Sequence, residues 1–175
     1  MKKIAMPLSG EYPSYYESYF SLIAKDADII DVLTKSNLDT IDLYTSVDGE
    51  TLNYRYAEGK WNMFEILQHL LDTERILAYR ALRIARCDKE NINGFDENIF
   101  VETSGVANRN LMDMVREYSL LRASTIELFK SFSETALLEK GSANSKTVTP
   151  AALAYFIATH EMHHIKIIEE RYLPK

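Results

Sequence analysis

The sequence predicts an all-α chain, a bundle of four long helices with an additional short helix near the N-terminus. Two observations carry this. Four segments place apolar residues at helical spacing behind residues suited to helix capping, and modest loops join them. The length of 175 residues suits one domain spanning 1–175 with one well-buried core.

In chain order, residues 1–11 read as a loosely held arm ending at Glu11-Tyr12-Pro13. Tyr12, Tyr15, Tyr16, Tyr19, Phe20 and Ile23 form an aromatic-rich first helix, read as packing surface. Asp26 or Asp28 can cap a second helix, in which Ile29, Ile30, Leu33, Asn37, Ile41 and Tyr44 recur up to Val47. Asp48-Gly49 marks its end, and residues 50–61 read as an ordered surface loop with a glycine turn. Asn62 with Glu65 three residues on is a capping box for a helix from Met63 to Arg86, whose apolar arc includes Ile66, Leu67, Leu70, Leu71, Leu77, Leu82 and Ala85. Residues 87–107 keep no period, so they are a functional loop or one packed around its own short helix. Asn108 or Asn110 caps the segment Leu111 to Phe132. A short helical turn follows at residues 133–138, and a polar loop over residues 141–148 leads into the last helix. There Thr149 can cap and Pro150 takes the first helical position, where its missing N–H is not needed.

Composition narrows the function classes. Hydrophobic residues at 46% and charged residues at 26% are ordinary for a globular protein, and the net charge of −6 argues against nucleic acid as a partner. A lone Cys87 cannot form an internal disulfide and suits a reducing cytoplasm. The first residues lack the apolar run of a signal peptide, and no segment approaches the ~20 apolar residues that span a bilayer, so no membrane role is expected.

Three of the four histidines, His160, His163 and His164, lie in the last helix. On a wheel of about 100° per residue, His160 and His164 occupy the middle of the apolar face, stacked one turn apart, while His163 falls on the flank. Two buried neutral imidazoles need partners, and one metal ion satisfies both, so ligation is favoured over a pair of core histidines. His160-Glu161-Met162-His163-His164 also spells the zinc-protease pattern. Only eleven residues follow His164, with no strand pattern nearby, and Glu161 points away from the pair on the wheel, so that reading is set aside. The fourth histidine, His69, centres a polar stripe on the third long segment with Asn62, Glu65, Asp72, Thr73, Arg80 and Arg83, read as facing a cleft. Glu74 and Arg75 point into the apolar arc, as a buried pair or a subunit contact would.

Tyr56-Ala-Glu-Gly-Lys-Trp61, Glu65-Ile-Leu-Gln-His-Leu-Leu-Asp-Thr-Glu74, the stretch from Arg75 to Arg86, Gly94-Phe-Asp-Glu97 and Ala154-Tyr-Phe-Ile-Ala-Thr-His-Glu-Met-His-His164 together resemble the DinB-like (YfiT-like) family of four-helix-bundle proteins, over most of the chain. The resemblance implies a divalent metal, zinc or nickel, held by His69, His160 and His164. It also implies a homodimer, with which the eleven tyrosines agree. Glu65 or Asp72 are the expected acceptors for the second ring nitrogen of His69, with His163 a further neighbour of the site. Three neutral imidazoles leave a fourth position open, as in catalytic zinc sites, where a water or a thiol ionises near neutral pH. Such a site could deliver hydroxide or a thiolate to a small electrophile, and the resemblance implies a metal-dependent hydrolase or a transferase of a low-molecular-weight thiol such as bacillithiol. Arg80 and Arg83 are expected to hold an acidic cosubstrate. The alternative is a non-catalytic metal-binding or stress-response ligand-binding bundle, which a fourth protein ligand such as Glu65 or Asp72 would favour.

Overall fold

The computed structural model describes residues 3–173. Short helix α1 (Glu17–Phe20) follows a 3₁₀ turn at Ser14–Tyr16. The long helices are α2 (Ile29–Ser46), α4 (Met63–Ala85), α6 (Leu111–Lys130) and α8 (Pro150–Arg171), with short helices α3 (Gly49–Asn53), α5 (Glu97–Thr103) and α7 (Glu134–Leu138) in the connections. Each long helix starts on a side-chain cap. Asp28 accepts from Ile30 N–H, Asn110 from Met112 N–H and Thr149 from Ala152 N–H, while Asn62 and Glu65 cap α4 reciprocally.

Both α4 and α2 pack against α6 and α8, so α2 lies diagonally across the bundle from α4, and α6 from α8. The chain therefore crosses the bundle between α2 and α4 and again between α6 and α8. This puts α4 beside α8, and with them His69 beside the C-terminal histidines.

The core has two apolar halves. One gathers Leu33, Leu77, Ile84, Ile126, Phe129, Leu153 and Ile157, and the other gathers Tyr44, Leu67, Leu71, Met114, Tyr118 and Ile168. Between them all four long helices contribute polar side chains: Ser36 and Thr40 from α2, Glu74 from α4, Arg122 from α6 and Glu161 from α8.

Several details differ from the sequence expectation. The N-terminal arm is anchored, not loose: Ile4 is buried, its carbonyl accepts from the Tyr155 hydroxyl, and the Glu11 carbonyl accepts from Thr149 N–H. The segment expected as a loop over residues 141–148 is a hairpin of β2 (Gly141–Ala143) and β3 (Lys146–Val148), to which β1 (Asn91–Ile92) adds in parallel. Asn144 and Ser145 turn it with φ of 51° and 58°, the left-handed pair of a type I′ turn. Gly141 is required by close approach, since a Cβ there would stand 2.4 Å from Ile84 Cγ1. Leu82, placed on the apolar arc, is exposed. Of the pair expected to be buried, Glu74 is and Arg75 is not; Arg75 reaches out to Glu117. Among the described residues no helix is long and apolar enough to cross a membrane.

Candidate metal centre

The three expected histidines converge. The Nε2 atom of His160 lies 3.0 Å from Nε2 of His69 and 3.1 Å from Nε2 of His164. One ligand atom from each of the three falls within 4.8 Å of the others. These contacts cannot all be hydrogen bonds. A neutral imidazole nitrogen either donates one proton or accepts on one lone pair, so Nε2 of His160 can satisfy one of its two neighbours. A cation between the three accepts every lone pair at once. Ligands at the zinc–imidazole distance in tetrahedral geometry stand roughly 3.3 Å apart, close to the two separations from His160. The donor set thus fits a divalent metal ion.

Local structure fixes each ring. His69 is buried on α4 with Trp61 against it, their ring centroids 4.8 Å apart. His160 has Phe156 at 5.6 Å, and Phe156 in turn stacks on Tyr16 at 3.8 Å. Burial holds the imidazoles neutral. It lowers His69 to about 4, against a smaller upward pull from Glu97, and lowers His164 to about 3. Burial pushes His160 well down too, reinforced by the other histidines. Neutral rings have lone pairs available for a metal.

Other expected residues fall elsewhere. Glu65 caps α4 and pairs with Arg55, and Asp72 accepts from Gln68, with Arg75 3.9 Å away; neither carboxylate is hydrogen-bonded to His69. The partner of His69 Nδ1 is Thr73, one turn along, at 3.4 Å. The short Thr73 side chain stays beside the ring, whereas Glu65 is drawn to the helix start by the backbone N–H of Asn62. His163 packs edge-on against Tyr19 and next to His164. Arg83 is neutralised by Asp88. Arg80 is buried, donates from Nη2 to the Asn93 carbonyl, and leaves Nε without a partner.

A concave pocket of about 210 Å³ adjoins His164, lined by Trp61, Tyr56, Lys60, Asn98 and Tyr172 among others. A larger, open depression of about 720 Å³ beside Asp72, Arg75, Arg109 and Glu117 contains none of the three histidines, and its arginines are paired with Glu117.

Sequence reasoning missed Trp61 as a wall of the site and the buried cluster of Glu74, Arg122 and Glu161. The cluster had a signal: Arg122 stands four residues after Tyr118 and four before Ile126, in the middle of a core-facing row.

Comparison with known proteins agrees with this architecture. The chain superposes on YfiT from Bacillus subtilis, described as a probable metal-dependent hydrolase with an unusual four-helix bundle topology, with a TM-score of 0.74 at 16% identity, covering 85% of this chain and 87% of that one. The curated proteins give no match. The family model of the DinB superfamily matches residues 33–168, and the chain belongs to that superfamily.

Proposed function

We propose that this chain is a divalent-metal-dependent enzyme, loaded with zinc or nickel, that hydrolyses a small molecule or transfers a low-molecular-weight thiol to one. The observation that carries the reading is the convergence of three imidazole nitrogens beside a pocket lined by aromatic rings. A divalent ion among those nitrogens supplies Lewis acidity enough to make a water or a thiol nucleophilic near neutral pH.

The chain's own residues prepare that chemistry. Burial keeps the ligand rings unprotonated, Thr73 holds the remaining proton of His69 at Nδ1, and Trp61 and Phe156 cover the rings with hydrocarbon. Catalysis is favoured over storage because Glu65 and Asp72, the carboxylates that could close the fourth position, are engaged elsewhere. The pocket, at about 210 Å³, suits a substrate smaller than a typical drug molecule. Of the two arginines on the stripe, Arg83 is paired with Asp88, whereas Arg80 is in no ion pair among the described residues; neither lines this pocket.

The test is turnover by protein stripped with chelator and reloaded with zinc or nickel. It would be assayed against esters, amides and lactones, and against small electrophiles with added thiols. Activity that returns with metal supports the reading, and a reloaded protein inert toward the whole panel counts against it.

A further inference from the structure

The polar layer across the bundle has unbalanced charge. Arg122 donates through Nε and Nη2 to Glu74 at 2.8–3.1 Å and through Nη1 to Glu161 at 2.8 Å. Glu161 also accepts from Ser36, Thr40 and Tyr118. Side-chain exposures are 1% for Arg122, 3% for Glu74 and 2% for Glu161. Burial works against the guanidinium's charge, and the two carboxylates outweigh it and hold Arg122 above its ordinary range. One guanidinium against two carboxylates leaves one negative charge in excess inside the protein. A buried charge of this kind is costly unless something compensates it.

The compensating partner is close. Glu161 follows His160 in the chain. Thr73, Glu74, Arg122, His160 and Glu161 line one small cavity of about 10 Å³. The same Thr73 partners Nδ1 of His69. The three histidines bring no charge of their own to a divalent ion, and the buried carboxylates among the described residues are the two in this cluster.

We propose that the Glu74–Arg122–Glu161 cluster is the electrostatic counterweight of the metal centre, with Glu74 and Glu161 acting as positioning residues whose excess negative charge raises the affinity for a divalent cation. The inference rests on the metal-binding reading above. In the low dielectric of the interior a charge on the cluster is screened less than one on an exposed carboxylate. A purely structural role for the layer, in pinning four helices in register, predicts something different: every disruption weakens cation binding through general damage.

The experiment measures zinc and cobalt affinity of metal-free full-length protein by competition with a chromophoric chelator, and its thermal midpoint with and without cation. Glu74→Gln keeps the shape and removes the excess charge. Cation affinity is expected to fall about tenfold to a hundredfold, the range for groups behind metal ligands, while the metal-free midpoint holds or rises. Arg122→Gln doubles the excess, and tighter binding is expected, a direction that structural damage cannot produce. If Arg122→Gln is destabilised without metal but still folds, a larger rise in midpoint on zinc addition than in wild type reads the same effect. Glu117→Gln, the same charge change on the surface, should leave affinity unchanged. Unaltered affinity in Glu74→Gln, or weakening in both cluster variants alike, overturns the proposal. A wild-type protein that takes up no cation instead sinks the metal reading beneath it.

Discussion

Thr73 Oγ1 lies 3.4 Å from Nδ1 of His69, one helical turn farther along α4. With Nε2 of His69 turned to the centre, Nδ1 carries the proton and the hydroxyl accepts it, which fixes the ring's tautomer. Thr73→Val keeps the volume and removes the acceptor. Zinc affinity should fall about tenfold, measured by chelator competition. Equal affinity in the variant would mean that Thr73 does not orient the ligand.

Glu65 belongs to the helix start and not to the metal centre. Glu65→Ala loses the reciprocal cap with Asn62 and the pair with Arg55, and should cost about 1 kcal/mol in a denaturant melt. Metal stoichiometry should stay at the wild-type value. A variant of normal stability with depleted metal would reverse that assignment.

The buried His69 and the half-buried His160 and His164 make metal-free stability depend on pH in a defined window. In the unfolded chain they bind protons below roughly pH 6.5, whereas in the folded protein His69 resists protonation down to about 4 and His164 to about 3. The unfolded state therefore gains protons first as pH falls. Each such imidazole removes about 1.4 kcal/mol of stability per pH unit between those limits, and nothing above pH 6.5. Urea melts of metal-free protein at pH 7.0, 6.0 and 5.0 should show a falling midpoint, and bound zinc should hold it up at pH 6.0. A flat profile over this range contradicts neutral burial of the ring cluster.

Arg80 and Arg83 differ in what they have free. Arg83→Ala breaks an ion pair with Asp88 near the surface and should leave KM for an acidic substrate unchanged. Arg80→Gln should raise KM about tenfold with little change in kcat, the signature of a group that binds without entering the chemistry. Steady-state kinetics on an anionic substrate and its neutral analogue decide it. Equal effects on both substrates would make Arg80 a packing residue.

Much of this was legible in the sequence because local rules and tertiary structure agreed. Asn62 with Glu65, Thr149 with Pro150 and the spacing of His160 with His164 act within one helix, where pattern and geometry are the same thing. The crossing that puts α4 beside α8 is not local, and only the family resemblance brought His69 to the other two. The hairpin over Gly141–Val148 was hidden because its turn uses Asn144-Ser145 without glycine, and its strands are three residues each, too short to show alternation. The acceptor for His69 was misassigned because a wheel ranks neighbours by angle alone and cannot see that Glu65 is held by Asn62 and Arg55. Glu74 could be placed on the core face, but its partner Arg122 comes from another helix, forty-eight residues on.

The most direct test is elemental analysis of protein purified without added metal salts, alongside His160→Ala. His160 is the ring that stands within 3.1 Å of both others, so its removal leaves no shared point of convergence. The predicted result is about one divalent transition-metal ion per chain in wild type and a small residue of it in the variant, with helical content retained in both. Wild-type protein free of metal after exposure to zinc and nickel, or a variant that keeps its full complement, would contradict it.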